Sequence, residues 1–269
     1  MDDVDARRKA WNERGFFYAR GLLTPAETQA LEAEIIRKIR DNPPAEHPGE
    51  TIYFAGPNYA IFPETEASGT AQAPEDFISK VFNCHAEGLA LSLARRQEIV
   101  ARVAEILGPD LDCFQSQFIL KNPGVIGQPW HQDSYYFRLD RQPQVGVWVA
   151  LSAATLDNGC LWVLPGSHDN DILDHVPDRR PAANRGYLEV VGEDDSARIP
   201  CLMEPGDVLF FHSYLLHMST DNVADHRRTA LVYHYGRAGS QPVSESAAKA
   251  LAHVNRWIPV ARSRGEVLA

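Results

Sequence analysis

The feature that most constrains the fold is a series of short apolar or alternating runs that begins after residue 110. The runs span residues 113–120, 145–151, 160–164, 199–203, 207–211 and 229–235. Turn-forming residues separate them, as in Asn122-Pro123-Gly124. Serial short strands joined by frequent turns are typical of a sandwich or small barrel of the jelly-roll type. The sequence therefore predicts a mainly β core.

Helix signals precede this β core. Thr24 suits the N-cap of a helix and Pro25 suits its first position. Glu27 can complete a capping box, in which its side chain bonds the main-chain amide of the N-cap residue. Apolar residues then recur at helical spacing, so we predict a helix over 24–41. A second periodic stretch predicts a helix over 95–107, with a Gly-Pro pair as its stop. The β core should therefore have flanking helices.

No internal repeat, low-complexity linker or break in composition divides the sequence. We predict a single domain over 1–269, with a helical part over about 1–110 and a β core over about 111–240. Residues 42–76 are rich in Pro, Gly and small polar residues and predict short strands and loops. Residues 168–198 are polar and predict a long insertion. These two variable segments are expected to set specificity.

Composition narrows the class of partner. A formal net charge of −10 argues against nucleic-acid binding, which favours a basic face. No run approaches the roughly 20 apolar residues that a membrane-spanning helix requires, and the charged start lacks the apolar segment of a secretory signal. Four widely separated cysteines are expected to be reduced and packed: Cys84, Cys113, Cys160 and Cys201. We predict a cytoplasmic protein that acts on a small molecule, without nucleic-acid or membrane partners; its oligomeric state is left open.

The spacing His131-x-Asp133 indicates a possible metal site. On a strand, the two side chains would point to one face, as two ligands of one ion require. One further histidine would complete a 2-His-1-carboxylate set, which leaves three positions open on octahedral iron(II). His217 is the favoured candidate because it follows an apolar strand and has two arginines close downstream. The rivals are His212, which could be a strand-end histidine, and His234, which could pack in or line the barrel.

Further motifs follow the His-x-Asp pair in a fixed order. They are Asp157-Asn158-Gly159-Cys160-Leu161, Pro165-Gly166-Ser167-His168, Pro205-Gly206-Asp207, and His217-x-Ser219-x-x-Asn222 through Arg228. In this order and spacing, over roughly residues 80–240, the chain resembles the phytanoyl-CoA dioxygenase family. That family consists of iron(II)/2-oxoglutarate oxygenases, so the resemblance implies a double-stranded β-helix core, which is a jelly-roll of the cupin-like kind.

The resemblance also implies roles for particular residues. Iron(II) would be held by His131, Asp133 and His217. Arg228, eleven positions after His217, would bind 2-oxoglutarate, with Arg227 as the less favoured neighbour. Ser219 would hydrogen-bond the same distal carboxylate. Further residues expected to line the cosubstrate pocket are Lys80, Gln117 and Trp148, with Lys121 as a competing basic residue.

The implied activity is that of a non-haem iron(II)/2-oxoglutarate-dependent dioxygenase. It would hydroxylate an unactivated C–H bond of a small molecule with O2 as the second cosubstrate and would release succinate and CO2. Retention of Asp133 favours hydroxylation over halogenation, because related halogenases carry a small residue there. The alternatives are a cupin-like metal-dependent isomerase or hydrolase, against which Ser219 and Arg228 argue, and a non-catalytic metal-binding barrel.

The identity of the substrate does not follow from the sequence. Alternation after Asp133 would place Tyr135 and Phe137 on the metal-facing side, where they could shape a substrate pocket; otherwise they are ordinary strand aromatics. Relatives act on acyl-CoA thioesters, zwitterionic solutes, phosphonates and biosynthetic intermediates. The resemblance therefore implies a reaction type rather than a particular substrate.

Overall fold

The computed structural model of the protein describes residues 3–64, 69, 71–180, 186–263 and 266–267. Its α-helices are α1 (Val4–Arg14), α2 (Pro25–Arg40), α3 (Gly88–Ala94), α4 (Gln97–Leu107), α5 (Asp133–Phe137) and α6 (Glu245–Leu251). Its strands are β1 (Phe16–Ala19), β2 (Tyr53–Ala55), β3 (Tyr59–Pro63), β4 (Ile78–Phe82), β5 (Leu111–Lys121), β6 (Val145–Ala150), β7 (Leu161–Val163), β8 (Val176–Pro177), β9 (Leu188–Glu189), β10 (Ile199–Cys201), β11 (Val208–His212), β12 (His217–Ser219), β13 (Arg228–Arg237), β14 (Ile258–Arg262) and β15 (Glu266–Val267). Within these ranges no helix is long and apolar enough to cross a lipid bilayer.

The predicted helix over 24–41 is confirmed as α2. Its capping box is complete, since the Glu27 amide donates to the Thr24 hydroxyl at 3.3 Å and the Thr24 amide donates to the Glu27 carboxylate at 2.7 Å. These bonds satisfy amides that the first helical turn leaves without partners. Leu31, Ile35 and Ile39 are buried along one side, as the helical spacing of the apolar residues requires.

The second predicted helix is confirmed as α4, which ends at Leu107 as expected. Gly108 follows with a φ of 93°, a conformation that strongly favours glycine, and its amide bonds the Ala104 carbonyl. Ile99 and Val103 of this helix are buried. Both helices therefore add apolar faces to the core.

In the described part of the chain the strands form three antiparallel sheets: two that make the pair expected for a jelly-roll, and the two-stranded β8–β9 pair. The larger sheet has the order β1-β11-β6-β13-β5-β4-β3-β2, with β14 also pairing with β5, and the smaller one has the order β10-β7-β12. The six predicted apolar runs are confirmed as β5, β6, β7, β10, β11 and β13. The predicted fold class, mainly β with flanking helices, is confirmed.

The larger sheet is buried on both faces. Its outer face packs against the helices in one apolar cluster that includes Leu31, Ile35, Val103, Leu231 and Tyr233. Its inner face packs against the smaller sheet in a second cluster that includes Trp148, Val163, Leu209, Phe211 and Val232. Successive residues of a strand point to opposite faces, so β13 contributes to both clusters in alternation. The space between the two sheets is where the candidate site lies.

The two variable segments contain short strands. Residues 42–76 include the β2–β3 hairpin, and residues 168–198 include the β8–β9 pair. Residues 65–68, 70 and 181–185 of these segments lie outside the described residues. The predicted single domain stays a prediction, as does the predicted location.

Candidate active site

Three potential ligands from distant parts of the sequence meet between the sheets. His131 precedes α5 and pairs with His217, the first residue of β12, through two backbone hydrogen bonds of 3.0 and 3.1 Å. Asp133 begins α5, and its Oδ1 lies 3.7 Å from the Nε2 atoms of both histidines. All three side chains are buried, and their ligand atoms lie within 4.8 Å of one another.

The orientation of both imidazole rings suits metal binding. Nδ1 of His131 donates to the Pro129 carbonyl at 2.8 Å, and Nδ1 of His217 donates to the Leu215 carbonyl at 3.0 Å. Nδ1 therefore carries the hydrogen in each ring, which leaves the lone pair of Nε2 directed at the common centre. Two imidazole nitrogens and one carboxylate oxygen are the donor set that suits non-haem iron(II).

The pKa shifts agree with this donor set. Burial lowers the pKa of His131 well below its ordinary value, and the neighbouring His217 lowers it further. Burial alone would raise the pKa of Asp133, but the nearby His217 and His234 outweigh burial and hold it below the ordinary value of a carboxyl. A neutral His131 and an ionised Asp133 at neutral pH are the protonation states that a metal ion requires.

His131 and Asp133 do not lie on one strand, so the condition under which strand geometry would point both side chains to one face is not met. Asp133 starts the helix α5, so the alternation that would have placed Tyr135 and Phe137 on one metal-facing side does not exist. Tyr135 stacks on the ring of His175 with centroids 4.0 Å apart. Phe137 is buried away from solvent against aromatic neighbours rather than beside Tyr135. Their substrate-binding role stays a prediction that strand alternation does not support.

Hydrogen bonds to other parts of the chain hold the segment around Asp133 in place. The hydroxyl of Ser134 lies 3.0 Å from the side-chain oxygens of both Gln142 and Gln144, and 2.7 Å from the hydroxyl of Ser213. Gln132, which is fully buried, bonds main-chain groups of the 168–198 insertion. The residues on either side of Asp133 are therefore fixed, and the carboxylate is fixed with them.

Arg228 is buried on the inner face of β13 and is only 2% exposed. Its Nη2 donates to the Gly159 carbonyl at 2.9 Å, whereas Nε and Nη1 are buried and have no hydrogen-bond partner among the described residues. Its Cζ lies 5.4 Å from the ring centroid of Trp148, whose indole N–H is likewise buried without a partner. Burial lowers the pKa of Arg228 to about 10. A desolvated guanidinium with two free donors fits an anionic ligand.

Ser219 and Lys121 lie at the same end of the site as Arg228. Lys121 is the residue opposite Arg228 in the β5–β13 register, and its ammonium donates to the Ser219 hydroxyl at 2.8 Å. The main-chain amide of Gln128 donates to the same hydroxyl oxygen at 3.0 Å. Because both lone pairs of that oxygen are engaged, the Ser219 O–H remains as a donor.

Arg227 points away from Arg228. Its Nε donates to the Asn122 side chain at 2.5 Å and its Nη2 forms an ion pair with Asp76, so its charge is already neutralised. Arg227 lies just before β13, where its side chain reaches Asn122 and Asp76, whereas Arg228 is the first residue of the strand and is buried on its inner face. This geometry favours Arg228 over Arg227 as the anion-binding residue.

Lys80 and Gln117 lie on the neighbouring strands β4 and β5. The Lys80 ammonium lies 3.4 Å from the side-chain oxygen of Gln128 and 5.2 Å from the ring centroid of Tyr187. The side-chain nitrogen of Gln117 donates to the Gln115 side chain at 2.8 Å. Gln117 is thus committed to a neighbouring amide, and its predicted cosubstrate contact stays a prediction.

Sequence reasoning missed two residues that contact the ligands. His234 was expected to pack in or line the barrel, yet its Nε2 lies 3.0 Å from Oδ2 of Asp133. Tyr136 lies beside His131, with ring centroids 5.8 Å apart. An even spacing of six residues between Arg228 and His234 on one strand was the available signal, because it places both on the same face. The rival His212 accepts a bond from a main-chain amide and is not part of the ligand cluster.

The family of the chain follows from comparison with known sequences. A sequence profile described as Phytanoyl-CoA dioxygenase (PhyH) matches residues 11–230. The chain belongs to the phytanoyl-CoA dioxygenase family. The peroxisomal phytanoyl-CoA dioxygenase of Mus musculus is 28% identical over 250 residues, which cover 89% of this chain and 70% of the mouse protein. Phytanoyl-CoA dioxygenase domain-containing protein 1 of Danio rerio is 27% identical over 265 residues, covering 87% of this chain and 89% of the zebrafish protein.

Solved structures share the fold of this member of the phytanoyl-CoA dioxygenase family. EvdO2 from Micromonospora carbonacea var. aurantiaca, solved with 2-oxoglutarate, matches with a TM-score of 0.67 and 22% identity over 91% of this chain and 94% of EvdO2. The epimerase SnoN, solved with Fe3+, alpha-ketoglutarate and nogalamycin RO, matches with a TM-score of 0.64 and 18% identity over 91% of this chain and 88% of SnoN. At these identities the likeness concerns the fold alone.

Membership of the phytanoyl-CoA dioxygenase family confirms the resemblance and the class of enzyme expected from the sequence, an iron(II)- and 2-oxoglutarate-dependent dioxygenase. The family favours this class over a cupin-like isomerase or hydrolase and over a non-catalytic barrel. The donor set of His131, Asp133 and His217 fits the metal, and the unpartnered donors of Arg228 fit an anionic cosubstrate.

Proposed function

We propose that the protein hydroxylates an unactivated C–H bond of a small molecule, with iron(II) held by His131, Asp133 and His217. The observation that carries the proposal is the combination of this buried ligand cluster with Arg228, a buried arginine whose Nε and Nη1 have no hydrogen-bond partner among the described residues. One feature alone would fit many proteins. Together they match the two requirements of a 2-oxoglutarate oxygenase, a metal ion and a diacid.

The arginine pocket is suited to the distal carboxylate of 2-oxoglutarate. The N–H groups of a guanidinium point outward in one plane, and those on Nε and Nη1 of Arg228, which have no partner among the described residues, can donate to carboxylate oxygens. The indole N–H of Trp148 and the hydroxyl of Ser219 add two further donors of the kind that a carboxylate accepts. Burial of the pocket strengthens each of these bonds, because water does not compete for the same donors.

The metal end of the site is suited to oxidation of a bound substrate. When bound, the iron supplies the redox chemistry that couples conversion of 2-oxoglutarate to succinate and CO2 with oxidation of a C–H bond. The chain itself fixes the three ligands, since both imidazoles and the carboxylate are held by hydrogen bonds at their outer atoms. The protein's part is therefore to orient the reactants and exclude water.

The proposal specifies the substrate only as a small molecule. Relatives of the chain are named phytanoyl-CoA dioxygenase, and the fold neighbours include an epimerase from nogalamycin biosynthesis. We propose a small molecule that enters beside Tyr136 and Lys80, where the insertion that includes β8 and β9 borders the ligand cluster.

The test is release of succinate from 2-oxoglutarate with iron(II) and O2, in the wild-type protein and in Asp133→Ala. Loss of one ligand should lower the rate by more than the roughly 100-fold that loss of an outer partner can cost. Asp225→Ala, at a fully exposed carboxylate, is the matched control and should retain the wild-type rate. Equal succinate release by Asp133→Ala would contradict the proposal. Iron binding without 2-oxoglutarate turnover would instead indicate a non-catalytic barrel.

A further inference from the structure

The carboxylate of Asp133 has two oxygens with different surroundings. Oδ1 faces the two histidine ligands at 3.7 Å from each Nε2, whereas Oδ2 lies 3.0 Å from Nε2 of His234. An ionised carboxylate only accepts hydrogen bonds, so Nε2 of His234 must carry the hydrogen. We propose that His234 is a positioning residue: its hydrogen bond to Oδ2 keeps that oxygen from coordinating the metal, so that Asp133 presents only Oδ1. This inference rests on the proposed function.

Each ligand has an anchor on its outer side. The Nδ1 atoms of His131 and His217 are anchored by main-chain carbonyls two residues earlier. A carboxylate cannot be anchored by a carbonyl, because both groups are acceptors. Asp133 therefore needs a donor, and among the described residues His234 is the one whose side chain donates a hydrogen bond to it.

The surroundings of His234 leave its ring few other roles. The residue is 1% exposed, and its ring centroid lies 4.6 Å from that of Phe137, 6.1 Å from Phe114 and 6.5 Å from Phe211. Its Nδ1 is buried and has no partner among the described residues. The aromatic neighbours fix the ring plane, and the bond to Asp133 is the only polar contact it makes within those ranges.

A low-polarity setting increases the effect of this bond. A hydrogen bond to an ionised group is roughly twice as strong as one between neutral groups, and a dry environment strengthens it further. Without His234, the carboxylate would be free to rotate or to offer both oxygens to the metal. Loss of such an outer partner typically weakens metal binding about 10- to 100-fold. A histidine that served only for packing would leave metal affinity unchanged when replaced by an apolar residue of similar volume.

The experiment compares three substitutions at one position in the full-length protein: His234→Leu, His234→Gln and His234→Asn. Glutamine can place an amide N–H close to the position of Nε2, whereas the shorter asparagine cannot reach Oδ2 and leucine has no donor. Co(II), which is used in place of iron(II) because it is stable in air, is titrated by calorimetry and by its visible absorption bands. We expect about 10- to 100-fold weaker binding for leucine and asparagine, and binding within a few-fold of wild type for glutamine.

The absorption bands provide a readout that a packing role would not change. Leucine should shift them, because a released carboxylate can coordinate through both oxygens, whereas glutamine should retain them. His168→Leu is the matched control, since His168 is another buried histidine but contacts Asp169 and His212 instead of the ligand cluster. Melting temperatures identify any variant that fails to fold. If His234→Leu fails to fold, the comparison of His234→Gln with His234→Asn still tests the inference.

Unchanged affinity and spectra in the leucine and asparagine variants would overturn the inference and leave the proposed function intact. Equal weakening in all three folded variants would also overturn it, because the donor retained by glutamine would then have no effect. Failure of the wild-type protein to bind Co(II) or iron(II) at all would overturn the proposed function itself. The two failures are therefore distinguishable in one series of titrations.

Discussion

The two faces of β13 are built from alternate residues of one strand, yet they differ in how their polar groups are satisfied. On the outer face, the hydroxyls of Tyr233 and Tyr235 are buried and donate to the carbonyls of Ala90 and Ala94 in α3, each at 2.9 Å. Leu231 packs beside them in the apolar cluster beneath the helices. Each of these groups has the partner that a stable core requires.

On the inner face, the same strand buries polar groups that lack partners. Within the described part of the chain, two nitrogens of Arg228, the indole nitrogen of the neighbouring Trp148 and Nδ1 of His234 have no hydrogen-bond partner. Buried polar atoms without partners lower the stability of a protein, and a bound anion would supply acceptors for the unpartnered donors of Arg228 and Trp148. This difference is the one that the proposed function requires: the outer face maintains the fold, and the inner face offers buried donors to a ligand.

The largest expected effect comes from Arg228→Leu on the inner face. Removing the guanidinium should weaken 2-oxoglutarate binding roughly 1000-fold, or about 4 kcal/mol, the range found when one partner of a buried charged pair is lost. The free energy of unfolding of the ligand-free protein should stay equal or rise, because an unneutralised buried charge is removed. Calorimetric titration with 2-oxoglutarate and urea unfolding measure the two quantities.

Arg227→Leu is the control for this prediction, because Arg227 is paired with Asp76 and faces away from the site. Its 2-oxoglutarate affinity should match that of wild type. If Arg227→Leu loses affinity and Arg228→Leu does not, the assignment of the two faces is wrong.

The next effect comes from Leu231→Ala on the outer face, and it should have the opposite character. Truncating a fully buried leucine leaves a cavity and should lower the free energy of unfolding by about 3 kcal/mol. The affinity for 2-oxoglutarate should not change in the folded protein, because the side chain lies on the far side of the sheet. A loss of affinity comparable with that of Arg228→Leu would show that the two faces are not independent.

Local signals in the sequence predicted much of the fold. The capping box at Thr24 and Glu27 involves residues three positions apart, so it could be read directly. The strands could be predicted from equally local patterns, because alternation of apolar and polar residues indicates a strand that is buried on one face. The turn at Asp133 could not be predicted in this way. It depends on Ser134 bonding to Ser213, which is 79 residues away.

The candidate site likewise has a part that the sequence predicted and a part that depends on contacts between distant residues. The cluster of His131, Asp133 and His217 was expected from the motif order of the family, and the structure brings their ligand atoms together. The contact of His234 with Asp133 joins residues 101 positions apart and depends on the position of β13 opposite α5. No local pattern encodes such a pairing, although the even spacing from Arg228 placed His234 on the correct face.

A smaller effect is expected from Tyr233→Phe, which removes one satisfied hydrogen bond from the outer face. The free energy of unfolding should fall by about 1 kcal/mol, since the ring and its packing remain while the bond to Ala90 is lost. Urea unfolding should show an earlier midpoint with an unchanged slope. An unchanged midpoint would mean that the outer face is held by apolar packing alone, and the contrast with the inner face would then concern only charge.

The smallest effect should come from Arg227→Ala, which tests the boundary between the two faces. Burial raises the pKa of Asp76, but the amides of Gln72 and Ala73 and the guanidinium of Arg227 outweigh it and hold the pKa below its ordinary value. A lowered folded-state pKa stabilises the protein above the unfolded pKa of roughly 4, and this contribution is lost as the pH falls through the folded value. The pair is partly exposed, so the variant should lose under about 1 kcal/mol at pH 7. Urea unfolding from pH 7 to pH 3 should show the gap to wild type shrinking with acidity; a gap that widens would mean that Arg227 acts through another group.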